Sequence, residues 1–100
     1  MSKTAAAARI RALSADLIGL SERLHAYPET AWEEHRAAEW VGHALDVAGF
    51  EVTPHCLGLE TALLAKAGSG PFRVGICAEY DALPTQPIDF ASLSDEELRA

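Results

Sequence analysis

Apolar residues recur every three or four positions along the first part of the chain, which is the spacing of an amphipathic helix. The stripe consists of Ile10, Leu13, Leu17, Leu20 and Leu24. It predicts a first helix over residues 5–26, with Thr4 as its N-cap. Pro28 ends this helix, because the residue before a proline is pushed away from helical geometry.

A second helix is predicted after this break. Thr30 and Glu33 have the spacing of a capping box, in which each side chain binds a backbone amide of the other residue. Gly49 would close the helix in the left-handed conformation that glycine adopts without steric cost. The side chains expected to be buried on this helix are Ala37, Trp40, Val41, Ala44, Leu45 and Ala48.

The second half of the chain changes to a pattern typical of strands. Residues 51–55 alternate weakly and predict a short strand. Residues 61–67 predict another, although their leucine and alanine content leaves a helix open. Residues 72–80 form a near-continuous apolar run, typical of a strand buried on both faces. We therefore expect an α/β fold with two N-terminal helices followed by about three strands.

The C-terminal residues predict little regular structure. An irregular connection is expected from Pro84 to Leu93, and Ser94 with Glu97 has the spacing of another capping box at a helix start. Only about six residues remain for that helix, fewer than the roughly 12–15 that make an isolated helix even marginally stable. We therefore expect a truncated chain, or a tail whose partner lies elsewhere.

Composition and charge exclude several classes of protein. Of the 100 residues 49% are apolar, which excludes a disordered chain. The net charge is -7 without a basic stripe, so nucleic-acid binding is not expected. No apolar run is long enough to span a membrane, and Arg9 and Arg11 interrupt any secretory signal. With only Cys56 and Cys77, we expect a cytoplasmic protein with reduced thiols, a structural disulfide being the alternative.

Two carboxylates mark the candidate functional site. Glu79 and Asp81 stand at the end of the predicted strand over residues 72–80, and Pro84 prevents that strand from continuing. Ligands and catalytic groups of open α/β sheets collect beyond the carboxyl ends of strands. Carboxylates placed there act as acids, bases or metal ligands. The structural alternative is that Asp81 caps the turn toward Pro84 while Glu79 is solvated.

Other polar residues have structural interpretations. Three polar residues of the second helix, at positions i, i+4 and i+8, share one face and could be considered as metal ligands. The helix rises ~1.5 Å per residue, so the first and the third of them lie too far apart to bind one metal ion. We expect a solvated face at these residues, which are His35, Glu39 and His43. His25 lies near the C-terminus of the first predicted helix and Glu29 lies near the N-terminus of the second. At these positions each side chain interacts favourably with the helix dipole. Cys77 is expected to be an inert apolar residue inside its strand. A thiol enzyme using Cys56 and His55 is a further alternative, without an identifiable third group.

Four short motifs together resemble the start of a known enzyme family. They are Leu24-His25-Ala26-Tyr27-Pro28-Glu29 with Glu33-Glu34, Ala48-Gly49-Phe50-Glu51-Val52, Gly58-Leu59-Glu60-Thr61-Ala62, and Ala78-Glu79-Tyr80-Asp81-Ala82-Leu83-Pro84. In their order and spacing, residues 17–84 resemble the zinc-dependent aminoacylase and carboxypeptidase family of metallopeptidases. The resemblance is strongest to the amidohydrolase branch that includes aminobenzoyl-glutamate hydrolases.

The resemblance implies hydrolysis of an amide bond in an N-acyl amino acid or a dipeptide. Zinc or another divalent ion would activate the water, and a glutamate would act as general base. Asp81 would be the catalytic carboxylate near the metal centre that orients a ligand. Many members carry a metal-binding histidine two positions before this aspartate. Glu79 stands there in this chain, so no metal ligand and no cofactor-binding residue is assigned.

Residues 85–100 depart from the family pattern, because the glycine-, histidine- and cysteine-rich motif expected after Pro84 is replaced by a different sequence. We therefore expect residues 1–100 to be a partial N-terminal segment of a larger mixed-sheet catalytic domain. Such a segment is expected to be inactive alone and not to bind the metal by itself. The alternative is a truncated or degenerate non-catalytic chain that acts at most as a binding module.

Overall fold

Helices precede a small sheet in the computed structural model, which describes residues 2–84, Ser94 and Glu96. The described part contains the helices α1 (Lys3–Ala12), α2 (Ser14–Ala26) and α3 (His35–Val47), a 3-10 turn (Cys56–Gly58), and the strands β1 (Glu51–Pro54) and β2 (Leu63–Lys66). This order confirms the predicted α/β class. The predictions for residues 85–93 and for most of the C-terminal helix start lie outside the described residues.

The first predicted helix is divided into two. Leu13 has φ -92° and ψ 0° between α1 and α2, which takes one residue out of helical geometry. The amide of Leu13 still donates to Arg9 at 3.0 Å, so the break is local. No residue of α1 or α2 is buried. Of the predicted apolar stripe, Ile10 and Leu17 are exposed and the three other leucines are only half-buried. The packing on which helices of this length depend is therefore weak along this stripe. Ser2, and not Thr4, caps α1 by accepting from the amide of Ala5 at 3.1 Å.

Helix α3 packs against the sheet and contains the most buried apolar residue that the structure describes, Ala37 at 2% exposure. The helix approaches the sheet at Gly42, where an added Cβ would lie 3.6 Å from Leu63 and 3.8 Å from Val52. Trp40, Val41 and Leu45 are half-buried as part of the same face, whereas Ala44 and Ala48 are exposed, contrary to prediction. The apolar face of α3 is therefore narrower than its composition indicated.

Gly49 ends α3 as predicted, with φ at +98°. Its amide donates to the carbonyl of Asp46, and the amide of Phe50 donates to the carbonyl of Leu45, both at 3.0 Å. These two bonds form the Schellman motif that closes many helices.

Strands β1 and β2 form one antiparallel hairpin. Glu51 lies opposite Lys66, and Val52 lies opposite Ala65. The pairing confirms both short strands and decides the second segment in favour of a strand over a helix. Opposite charges across the first pair of residues are favourable in an antiparallel sheet.

The third predicted strand is not formed. Residues 72–80 have no regular secondary structure, and Phe72, Val74 and Ile76 are 93%, 90% and 89% exposed. Cys77, expected inside this strand, is also exposed. The apolar pattern indicates a tendency to be buried, but a strand also needs a neighbour to satisfy its backbone groups. Among the described residues, the structure places no strand beside this segment.

Candidate functional site

Asp81 lines an open pocket between the C-terminal end of α2 and the segment that follows residue 79. The pocket has a volume of about 440 Å³. Its lining residues are Leu24, His25, Pro28, Tyr80, Asp81, Ala82 and Leu83. The structure therefore brings together Asp81 and His25, which the sequence predicted separately and for different roles. Glu79, the second predicted carboxylate, is exposed and does not belong to this lining.

The residue after Asp81 is held by the corner between α2 and α3. The amide of Ala82 donates to the carbonyl oxygen of Glu29 at 2.7 Å. Thr30 and Ala82 also form an isolated parallel bridge. Asp81 therefore does not follow a strand, contrary to prediction. The backbone beside it is instead paired with the corner between α2 and α3 through this single bridge.

The residue before Asp81 is held by its side chain. The hydroxyl of Tyr80 donates to the carbonyl oxygen of Thr61. Thr61 is 7% exposed, and its hydroxyl donates to Oε1 of Glu34 at 3.0 Å. The chain of bonds thus runs from Tyr80 through Thr61 to the start of α3. We call the Tyr80–Thr61 bond and the Ala82–Glu29 bond the flanking contacts of Asp81.

Burial raises the pKa of the Tyr80 phenol above its ordinary value of 10.0, and the negative charge of Glu34 raises it further. Both effects disfavour the phenolate. At neutral pH the hydroxyl therefore keeps its proton, which is the proton that it donates to Thr61.

Glu29 fixes the start of α3 with its side chain. Its Oε1 accepts from the amide of Ala37 at 2.8 Å, and its Oε2 accepts from the amide of Arg36 at 3.1 Å. The prediction that Glu29 lies near a helix N-terminus is confirmed. A carboxylate at this position interacts favourably with the helix dipole. The capping box predicted for Thr30 and Glu33 is wrong. These two residues form a backbone turn instead, in which the amide of Glu33 donates to the carbonyl of Thr30 at 3.0 Å.

Sequence reasoning missed the roles of Thr61, Tyr80 and Glu34 in this network. A signal existed, since all three belong to the motifs that carry the family resemblance. Their polar side chains looked ordinary one by one, because the bonds join residues far apart in sequence. Only a folded chain shows that these motifs meet around Asp81.

The predicted polar face of α3 lies away from Asp81. Nε2 of His35 lies 3.5 Å from Oε2 of Glu33, and both side chains are exposed. His35, Glu39 and His43 line a second open pocket of about 500 Å³, together with His55 and Glu60. No three His, Cys, Asp or Glu side chains among the described residues lie close enough to hold a metal ion. The described residues therefore do not form a complete ligand set for a metal.

Two other predictions concern the state of the two cysteines and the presence of a membrane-spanning segment. Both thiols are free, with Cys56 half-buried. In the part of the chain that the structure describes, no helix has the length and apolar character needed to cross a bilayer.

Comparisons with known proteins identify related enzymes. The chain is 36% identical over 64 residues to one of the subunits of the p-aminobenzoyl-glutamate hydrolase of Escherichia coli, which covers 64% of the chain and 13% of that protein. It is 33% identical over 79 residues to thermostable carboxypeptidase 1 of Saccharolobus solfataricus, covering 77% and 20% respectively. It is 37% identical over 93 residues to the Xaa-Arg dipeptidase of Mus musculus, covering 82% and 21%.

The chain thus spans about a fifth or less of the length of these relatives. No family model matches the chain, and no solved structure matches it.

Proposed function

Because the chain belongs to the metallopeptidase and amidohydrolase family that contains these relatives, we propose that it contributes to a catalytic domain that hydrolyses amide bonds. The substrate class is an N-acyl amino acid or a dipeptide. A hydrolase of aminobenzoyl-glutamate, a carboxypeptidase and a dipeptidase are all named for cleaving such a bond. Asp81 is the residue that we propose to orient the ligand.

The observation that carries the proposal is the way in which Asp81 is held. The flanking contacts fix Tyr80 on one side and Ala82 on the other, while the carboxylate of Asp81 itself is exposed. A group whose backbone is fixed on both sides can present its oxygens to a ligand without a large loss of conformational freedom. An ionised carboxylate only accepts hydrogen bonds, so it suits a donor N–H of an amide or an imidazole.

Metal chemistry is part of the proposal through the family alone. A divalent ion, for which zinc is our expectation, activates water for attack on a carbonyl when it is bound. Glu79 and Asp81 are too few to hold such an ion, and the other described residues do not complete a site. We therefore propose that the described residues position the ligand and that hydrolysis needs residues outside them. A cytoplasmic location with reduced thiols is part of the proposal, because only two cysteines are present.

A chimaeric enzyme tests the proposal. Residues 17–84 would replace the matching segment of the Xaa-Arg dipeptidase, and hydrolysis of dipeptides and N-acyl amino acids would be measured. We expect the chimaera to be active and Asp81→Asn to lower kcat/KM by about 10–100-fold, the loss typical of removing a group that orients a metal site or its ligand. Glu79→Gln is the matched control, because it neutralises a carboxylate two residues away.

Activity of the Asp81→Asn chimaera equal to that of its parent would contradict the proposed role of Asp81. A folded but inactive parent chimaera would contradict the equivalence of the two segments. Circular dichroism of each variant would separate loss of function from loss of folding.

A further inference from the structure

Both flanking contacts of Asp81 lead back to residues at the start of α3. We propose that one of these residues, Glu34, is a positioning residue that holds Asp81 in place through a chain of hydrogen bonds. The consequence for catalysis rests on the proposed function of Asp81, whereas the structural link can be measured without it.

Thr61 is the centre of this chain of hydrogen bonds. Among the described residues it is the one polar residue that is buried, at 7% exposure. Its hydroxyl donates to Oε1 of Glu34 at 3.0 Å, and its carbonyl oxygen accepts from the hydroxyl of Tyr80. A buried hydroxyl without a partner is costly. Loss of the Glu34 side chain should therefore displace Thr61, and with it the carbonyl that holds Tyr80.

The carboxylate of Glu34 is available for this role because another residue caps α3. Glu34 stands at the N-cap position of the helix, but its side chain makes no capping hydrogen bond. The carboxylate of Glu29 accepts from amides of the first turn instead. One glutamate thus stabilises the helix start, and the other binds Thr61. A change at Glu34 should consequently disturb Asp81 without removing the cap of the helix.

The backbone between these two glutamates has a strained conformation. Trp32 has φ 73°, in the left-handed region that a bulky side chain rarely adopts. Such a conformation persists only where the surrounding contacts determine it, and residues of this kind cluster at functional sites. The hydrogen bonds of Glu29 and Glu34 lie on either side of Trp32 and supply these contacts. The strain therefore supports a corner that is built to hold its two glutamates in place.

The side chain of Glu34 controls the one flanking contact that substitution can remove. Ala82 is held through the backbone carbonyl of Glu29, which every residue at that position would retain. Tyr80 is held through side chains at Thr61 and Glu34. A displacement of about 1 Å in a group that orients a substrate can cost on the order of 100-fold in rate. Loosening this contact should therefore reduce the rate while the ligand-orienting carboxylate itself is unchanged.

NMR relaxation of the chain as it is tests the structural link. Glu34→Ala should lower the amide order parameter at Asp81 from about 0.85 toward about 0.6. Glu34→Gln retains an oxygen that can accept from Thr61, so it should recover most of this loss. Glu33→Ala is the matched control, because it removes the neighbouring exposed carboxylate. In a Tyr80→Phe background the link is already cut, and Glu34→Ala should lower the order parameter no further.

Kinetics of the chimaera with the Xaa-Arg dipeptidase test the consequence for catalysis. Glu34→Ala should lower kcat/KM about tenfold, and Glu34→Gln should restore most of the loss. In an Asp81→Asn background Glu34→Ala should have little further effect, because it acts through Asp81. A general loss of stability would instead lower the activity by the same factor in both backgrounds.

An unchanged order parameter at Asp81 in Glu34→Ala, or an equal fall in Glu33→Ala, would overturn the proposal whatever the chimaera does. Independent losses from Glu34→Ala and Asp81→Asn would also overturn it. An inactive parent chimaera together with a lowered order parameter would contradict the proposed function and support the structural link. If Glu34→Ala loses helical circular dichroism, Thr61→Val takes its place. It removes the same hydrogen bond and should lower the order parameter, whereas Thr61→Ser keeps the hydroxyl and should not; equal effects of the two would overturn the proposal.

Discussion

Glu29→Ala removes the carboxylate that joins the α2–α3 corner to the start of α3. In the native chain this side chain accepts hydrogen bonds from the amides of Ala37 at 2.8 Å and Arg36 at 3.1 Å. The side chain is half-buried, so water replaces it incompletely after truncation. Both amides belong to the first turn of the helix, whose N–H groups have no partner within the helix.

The expected loss is that of a helix N-cap. Replacing a capping side chain by alanine costs roughly 1–2 kcal/mol in helix stability. Such a loss changes an opening equilibrium by about 5–30-fold. Glu29→Gln keeps one acceptor oxygen and loses the charge, so its effect should lie between that of Glu29→Ala and that of the parent.

Hydrogen exchange of individual amides is the appropriate assay, because it reports local opening of the helix start. We expect the amides of Arg36 and Ala37 to exchange about 5–30-fold faster in Glu29→Ala. Glu33→Ala is the matched control, because it removes an exposed contact with His35. Even between two charged side chains, an exposed contact of this kind contributes only about 0–1 kcal/mol. Equal exchange in Glu29→Ala and in the parent, or an equal effect of Glu33→Ala, would refute the capping role.

Three further predictions concern Tyr80, Gly42 within α3 and Gly49 just beyond the end of that helix. The raised pKa of Tyr80 means that folding favours the neutral phenol, so its contribution to stability is complete below pH 10.0 and is lost as pH rises through the folded pKa. Absorbance titration should show Tyr80 ionising above pH 10.0, and Glu34→Gln should lower the pKa of Tyr80. Gly42→Ala should stabilise the chain by about 0.5–1 kcal/mol, because the added Cβ meets only ordinary contacts in a helix interior. Gly49→Ala should destabilise it by about 1 kcal/mol, because φ is +98°. Denaturation curves that rank these two variants in the reverse order would contradict the packing described for α3.

Local sequence signals predicted much of the fold. Pro28 marks the corner after α2, and Gly49 with its positive φ closes α3. Both outcomes depend on the backbone preferences of one residue, which the surrounding fold does not change. The short strands β1 and β2 also follow from their pattern, since they are adjacent in sequence and pair with each other.

The wrong predictions concern contacts between distant residues. The capping box at Thr30 and Glu33 has the right spacing, but the carboxylate of Glu29 reaches the first turn of α3 instead. The strand over residues 72–80 has the right apolar pattern, yet its formation depends on a neighbouring strand that the pattern cannot supply. The network that holds Asp81 joins three separate motifs, so no single window of sequence contains it.

The order of the backbone at Asp81 tests the central claim most directly, since the proposed role of this residue depends on the flanking contacts that hold it. Amide order parameters measured by NMR relaxation should reach about 0.85 at Asp81, the value of rigid backbone, and should be clearly lower at Ile76, which has no described partner. Tyr80→Phe removes one flanking contact and should lower the order parameter at Asp81. A value below about 0.6 at Asp81 in the parent chain, as for flexible backbone, would contradict the claim.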